Sequence, residues 1–349
     1  MSMRLGNNPT KIGKLVERTV CDHRVIIPLH IPNEEDYYKD TYRIFELCLY
    51  SVRKTTHSPL KISVVSNGSS VTINQRLNIL YSKGYIDELI IEREGIGKVN
   101  SILKSLRTAE ERLITITDAD VLFKNGWEDK VLQIFESFPK AGAVSPVPVF
   151  RKHFELTHNI WFDYFFNSKL QFEPVTNEEE LEMFAKSLGW LWLEPTWKDT
   201  ILKLQATNGI KAVVGCPHFC ATYKREVFEN LPKENSIYKI LGDSEYKYTD
   251  LPVLKNDGYR LSTDDNFAFH LGNIFEPWMQ ERFNALYEEV PIYRSYTHLP
   301  LLKRNKVAFY VKQILFKRIL KKTIFTRYAF QKKGLTQEQI LNFMGNDYD

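Results

Sequence analysis

Short β-branched, apolar runs alternate with longer segments of helical spacing through residues 23–150, and no other feature narrows the fold as far. The runs are Arg24–Ile31, Lys61–Ser66, Glu88–Glu92, Arg112–Thr117 and Ala141–Pro146. Between them, Tyr42, Phe45, Leu49 and Val52 recur at steps that place them on one helix face, and Val99, Ile102, Leu103 and Leu106 do the same. Strand, helix and strand in that order require crossover connections and a mainly parallel sheet covered on both faces, an α/β fold. Ligands of such sheets bind at the carboxyl ends of the strands, so the residues ending each run carry the functional information.

The fourth run reads Leu113-Ile114-Thr115-Ile116-Thr117 and stops at Asp118-Ala119-Asp120. Two carboxylates at the mouth of a buried strand have no core role and repel each other unless a cation sits there. Residues two apart in an extended chain point the same way, and oxygen ligands suit Mg²⁺ or Mn²⁺ bridging to a diphosphate. The same residues also read as a helix cap followed by the turn Lys124-Asn125-Gly126. The first run ends Ile27-Pro28-Leu29-His30, where the proline is placed to shape a pocket rim. The second ends in the tight turn Ser66-Asn67-Gly68-Ser69, whose Asn67 is placed to read a base edge. Gly95-Ile96-Gly97-Lys98-Val99-Asn100 opens a helix, and its amides and Lys98 would face a phosphate or ribose. Each piece alone is a turn or a cap; together they surround one pocket.

From Arg24 to Gly272 the chain resembles the nucleotide-sugar glycosyltransferases of the GT-A fold, most closely family 2. The resemblance rests on Val25-Ile26-Ile27-Pro28, Asn67-Gly68-Ser69, Gly97-Lys98-Val99-Asn100, Asp118-Ala119-Asp120, Lys224-Arg225-Glu226-Val227-Phe228, Gly242-Asp243-Ser244-Glu245 before Gly258-Tyr259, and His270. It implies a Rossmann-like sheet sandwiched by helices, and transfer of a sugar, with inversion, from a nucleotide diphosphate donor (UDP-sugar favoured) to a glycan or lipid-linked acceptor hydroxyl in polysaccharide or glycoconjugate synthesis. Pro28, His30, Asn67, Lys98, Asn100 and Asp118 would line the nucleotide, and Asp120 and His270 would hold Mn²⁺ or Mg²⁺. Asp243 is the first choice for the general base and Glu245 the second. The other readings are a glycan- or lipid-binding protein that keeps the fold without catalysis, and a sugar nucleotidyltransferase. The latter lacks its usual Gly-rich loop, since Pro28-Leu29-His30-Ile31-Pro32 follows the first strand.

Composition sets off a polar leader (1–22) and a basic, aromatic-rich helical extension (276–349), and the resemblance implies a nucleotide-sugar half (23–150) and an acceptor and catalytic half (151–275) between them. The second half is dense in aromatics around the acidic run Glu178–Glu182, and Trp190 and Trp192 are weak candidates for stacking on an acceptor sugar. The net charge of +4 hides an asymmetry: residues 303–333 hold eleven of the 47 Lys and Arg and no acid, which leaves an acidic body. That balance argues against a nucleic-acid surface. The basic stretch suits either an anionic membrane surface or packing on the body or on another subunit. Cys21, Cys48, Cys216 and Cys220 are too few for a disulfide framework and lack the spacing of a zinc site. With no signal-like or membrane-spanning stretch, the expected location is cytoplasmic, with the inner membrane face as the site of any peripheral attachment.

Overall fold

The computed structural model describes residues 21–240 and 242–345, so the leader expected at 1–22 falls almost wholly outside it. Four runs become β1 (His23–Leu29), β2 (Leu60–Asn67), β3 (Glu88–Glu92) and β4 (Leu113–Thr117), all parallel and side by side in the order β3-β2-β1-β4. The later strands are β5 (Val121–Phe123), β6 (Ala141–Ser145), β7 (Leu170–Pro174), β8 (Thr200–Gln205), β9 (Lys211–Val214), β10 (Cys220–Lys224), β11 (Tyr259–Ser262) and β12 (Ala268–His270). The large sheet continues β4-β10-β6-β11-β9-β8-β7, while β5 and β12 form a separate two-stranded sheet. β10 is inserted antiparallel between β4 and β6, and β6 and β11 run parallel to each other in the same direction as β4.

Alternation along β1 explains why both faces need cover. Val25, Ile27 and Leu29 point to one face, where they meet α1 (Thr41–Lys54) and α2 (Val71–Ser82) through Phe45, Leu49, Val52, Ile73 and Leu77. Ile26, Ile114 and Ile116 point to the other, against Val99, Ile102 and Leu103 of α3 (Lys98–Leu106). Complete burial of each such side chain contributes about 1.5–3 kcal/mol. α4 (Trp127–Ser137), α5 (His158–Tyr164) and α6 (Glu178–Ser187) complete the layers, and the acidic first turn of α6 lies at its positive end behind the Asn177 cap. Trp161 is in the core, its Nε1 donating to the His153 carbonyl.

Pro28 lies inside β1 opposite Val65, and not on a rim beyond the strand. Its pairing consequence is on the other side, where the β1–β4 ladder ends at Ile26 opposite Ile116. A proline offers no N–H to a neighbouring strand, so β1 and β4 part there and leave a mouth at their carboxyl ends.

The amino ends of the strands are tied by buried polar groups. His23 lies between Glu128 (3.0 Å) and Thr115 (2.8 Å), and Glu128 also accepts from the amides of His57 and Ser58 at 3.1 Å and from the Tyr296 hydroxyl at 3.1 Å. Burial by itself would raise the Glu128 pKa, but His23 and Ser58 hold it at about 2, against an ordinary 4.5. The carboxylate therefore stabilises the fold by roughly 3 kcal/mol above the unfolded-state pKa, and that contribution is lost as pH falls through the window from 4.5 to about 2. Acid titration followed by circular dichroism should show Glu128→Gln shifted less over this window than the parent. Equal acid sensitivity would remove Glu128 as the cause.

The basic extension packs on the body through two of its cations. Lys312 lies 2.7 Å from Asp163 and 2.9 Å from Asp257, and Lys333 donates to the carbonyls of Tyr164 and Asn167 at 2.8 Å. All four cysteines are free, and burial pushes the thiol of Cys216 up to about 12, so neither a disulfide nor a reactive thiol is built from that residue.

Candidate active site

Asp120 and His270 are far apart in the sequence, and the small sheet brings them together. β5 and β12 pair antiparallel with His270 opposite Val121, and the Leu271 amide donates to the Asp120 carbonyl at 2.7 Å. That register leaves His270 Nε2 at 3.5 Å from Asp120 Oδ2, while Ser187 Oγ, at the end of α6, fixes the other ring nitrogen at 2.9 Å. Asp120 Oδ1 is buried with no hydrogen-bond partner among the described residues. Burial raises the pKa of this carboxyl, and His270 works against the rise. A buried carboxylate oxygen without a donor is costly unless a cation meets it, so the pair fits a divalent ion. No group of three or more His, Cys, Asp or Glu among the described residues forms a complete metal cage. Asp120 and His270 would hold Mg²⁺ or Mn²⁺, whose remaining positions suit diphosphate and water oxygens.

Asp118, two residues earlier, closes β4. Its amide donates to the Phe219 carbonyl at 2.6 Å and its Oδ1 lies 2.7 Å from Lys98 Nζ. Lys98 also reaches Glu245 Oε1 at 2.8 Å, so one cation joins the strand end to the segment before β11. Burial by itself would lower the Lys98 pKa, but Asp118 and Glu245 raise it. Burial by itself would raise that of Glu245, but Lys98 and then His218 bring it below the usual carboxylate range. Glu245 is thus a carboxylate at neutral pH.

His218, Asp250 and Arg260 extend the cluster, and the sequence reading missed all three. His218 Nδ1 lies 3.5 Å from Glu245 Oε2, and its Nε2 lies 2.6 Å from Asp250 Oδ2. Asp250 is fully buried and its other oxygen lies 2.7 Å from Arg260, whose guanidinium also donates to the Cys216 carbonyl at 2.6 Å. A continuous chain of polar contacts therefore runs from Arg260 through Asp250, His218, Glu245 and Lys98 to Asp118. Arg260 was the detectable signal, because a cation between Tyr259 and Leu261 in a core strand demands a buried partner.

Several expected nucleotide contacts are used within the protein. The Asn67 side-chain oxygen accepts from the amides of Ile96 (2.7 Å) and Gly97 (3.2 Å), and the Lys98 amide donates to the Lys239 carbonyl at 2.9 Å. The amides of Ile96, Gly97 and Lys98, part of the phosphate cradle expected from the Gly95–Asn100 motif, are therefore engaged within the protein, and the Asn67 oxygen is committed to that loop. Gly97 has φ +94°, and a Cβ there would lie 2.8 Å from the Lys239 backbone, so the close approach needs glycine. Asn100 is likewise engaged, donating to the Ile96 and Ser236 carbonyls and accepting from the Ser236 amide at 2.8 Å. His30 is exposed at the mouth, with Nδ1 2.6 Å from the Asn67 carbonyl.

Asp243 is exposed in a turn whose carbonyl accepts from the Lys247 amide, away from the ion-paired chain that holds Glu245. Trp190 packs edge-on against Phe150 and tilted against Trp197, beneath Arg151, and Trp192 is exposed beside Glu194 and Asn342. A cleft of about 530 Å³ opens on His270 instead, lined among others by Phe184, Ser187, Phe269, Asn273 and Trp278.

A model described as Glycosyl transferase family 2 matches residues 33–231, more than half of the chain. The chain belongs to glycosyl transferase family 2. Its mixed sheet, helices on both faces and acidic strand end after β4 are the GT-A architecture expected of a glycosyltransferase. Solved structures of related shape are distant in sequence. S. aureus TarS 1-349 is 12% identical, with 71% of this chain covered, 60% of that one and a TM-score of 0.40. The mannosyltransferase PcManGT from Pyrobaculum calidifontis, in complex with GDP-Man and Mn²⁺, is 16% identical, with 90% and 73% covered and a TM-score of 0.40. GalNAc-T7 with UDP, GalNAc and Mn²⁺ is 11% identical, with 74% and 45% covered and a TM-score of 0.40. The chain thus spans 60% of the TarS 1-349 structure. Among curated proteins, none matches this sequence.

Proposed function

We propose that this glycosyltransferase moves a sugar from a nucleotide diphosphate donor to an acceptor hydroxyl by a single inverting displacement, with Glu245 as the general base. The observation that carries this reading is the Asp118–Lys98–Glu245 bridge, which holds an ionised carboxylate beside the acidic end of β4. Glu245 takes the hydroxyl proton as the acceptor oxygen bonds to the anomeric carbon and the bond from that carbon to the diphosphate breaks. His218, fixed by Asp250, orients Glu245 from the side opposite Lys98. Lys98 brings positive charge near the departing diphosphate. A divalent ion at Asp120 and His270, when bound, would neutralise charge on that leaving group. The cleft beyond His270, with Phe184, Phe269 and Trp278 on its walls, offers aromatic faces for a sugar.

The test is a thermal-shift screen of UDP-, GDP- and dTDP-sugars with and without Mn²⁺, followed by nucleotide release. One donor at about a hundred times its Kd should stabilise the protein by roughly 2.7 kcal/mol, with Mn²⁺ required. No shift with any nucleotide sugar in the presence of Mn²⁺ would sink the proposal. A shift without nucleotide release on addition of acceptor glycans would favour a binding protein that keeps the fold.

A further inference from the structure

We propose that the outward face of the C-terminal helices docks on an anionic lipid bilayer. Residues 303–333 carry eleven cations and no acid, and only Lys312 and Lys333 among those cations are buried. These two fasten the extension through Asp163, Asp257 and backbone carbonyls. The other nine have no acidic neighbour within their own stretch.

Large apolar side chains share the exposed positions with these cations. Along residues 306–320, Val307, Tyr310, Leu315 and Ile319 are exposed together with Lys306 and Arg318. The helix Thr323–Lys332 buries Thr326, Ala329 and Phe330 and presents Ile324, Arg327, Tyr328 and Lys332, spaced as one face. Ile324 is 86% exposed, and Phe166, at 84%, joins this face because Lys332 lies 5.1 Å from its ring centroid and 5.8 Å from that of Tyr328. Ile324 and Tyr328 of this helix, together with Phe166, make the face apolar as well as basic. Cations interleaved with them match the negative headgroups and acyl boundary of a membrane surface. No helix among the described residues is long and apolar enough to cross a membrane, so attachment is interfacial.

Sheet direction gives the orientation. Lys312 binds Asp163 and Asp257, and Lys140 bridges the same two carboxylates at 2.8 and 2.7 Å. Lys140 and Asp257 immediately precede β6 and β11, which run in the direction of β1 and β4. The segment around Lys312 therefore lies at the amino ends of these strands, whereas Asp118, Asp120 and His30 lie at the carboxyl ends of β1 and β4.

The experiment is cosedimentation of the full chain with phosphatidylcholine vesicles, with and without phosphatidylglycerol. Binding should require phosphatidylglycerol, weaken with added salt, and fall roughly a hundredfold in the Lys321→Ala/Lys322→Ala/Arg327→Ala variant. Ile324→Glu should weaken it as well. Each substitution is on an exposed side chain, so melting temperature and donor-induced thermal shift should equal those of the parent. Failure of docking is thereby separated from failure of the proposed reaction. Equal binding to both vesicle types, or by the triple variant and the parent, overturns the proposal. Lipid-independent self-association abolished by Ile324→Glu would overturn it too, assigning the face to a second copy of the chain.

Discussion

Glu245→Gln is expected to lower kcat by roughly 10²–10⁴-fold while the donor still binds. The substitution keeps the shape of the side chain and removes its capacity to take a proton. Lys98 retains Asp118 at 2.7 Å, so the strand end keeps its cation and the nucleotide side of the site survives. Single-turnover nucleotide release measures the loss, and the donor-induced thermal shift measures retained binding. Asp243→Asn is the paired control. Its carboxylate is exposed and outside the ion-paired chain, so transfer should stay within a few-fold of the parent. The reverse result, an inert Asp243 variant beside an active Glu245 variant, would return the base to Asp243, which the sequence alone had ranked first.

Asp120→Asn should abolish the Mn²⁺-dependent part of donor binding and lower transfer by roughly 10²–10³-fold. The unusual feature of Asp120 is a buried Oδ1 with no hydrogen-bond partner among the described residues, beside a histidine already held by Ser187. Taking a charge from that position removes a desolvation cost, so the melting temperature without metal should not fall. This combination separates a metal ligand from a structural carboxylate, whose loss would lower stability with or without the ion. A Mn²⁺-independent drop in melting temperature, with activity kept, would make Asp120 structural.

The parallel half of the sheet was readable because its signal is local. A buried strand is a short β-branched run and a covering helix is a repeated apolar step, so β1 to β4, α1 and α3 were visible within windows of a few residues. β7, β8 and the antiparallel insertion of β10 were not, because a strand's direction and neighbours depend on partners far along the chain. Asp118, Asp120 and His270 lie at or beside strand ends, positions that the sequence marks out as candidates. His218 and Asp250 look like ordinary loop and helix residues until Arg260 and Glu245 are placed beside them.

Asn67, Lys98 and Asn100 make bonds within the protein that spacing does not reveal. Their residue types and spacing suit a nucleotide, yet Asn67 and Asn100 hold backbone around Gly97 and Ser236, and Lys98 bridges two carboxylates. A polar side chain near a site must satisfy the nearest buried backbone group first, and which group is nearest is a property of the folded chain.

Sequence alone therefore settled the alternation that makes an α/β sheet, the acidic end of β4 and the concentration of positive charge near the C-terminus. These depend on residue type and short spacing. The tertiary structure decided how β5–β12 pairing sets His270 3.5 Å from Asp120, that Glu245 and not Asp243 joins Lys98, and that Lys312 fastens the basic stretch to Asp163 and Asp257. Each of those is a contact between segments distant in the chain, set by strand register and by burial of one charge against another, which short-range spacing does not encode.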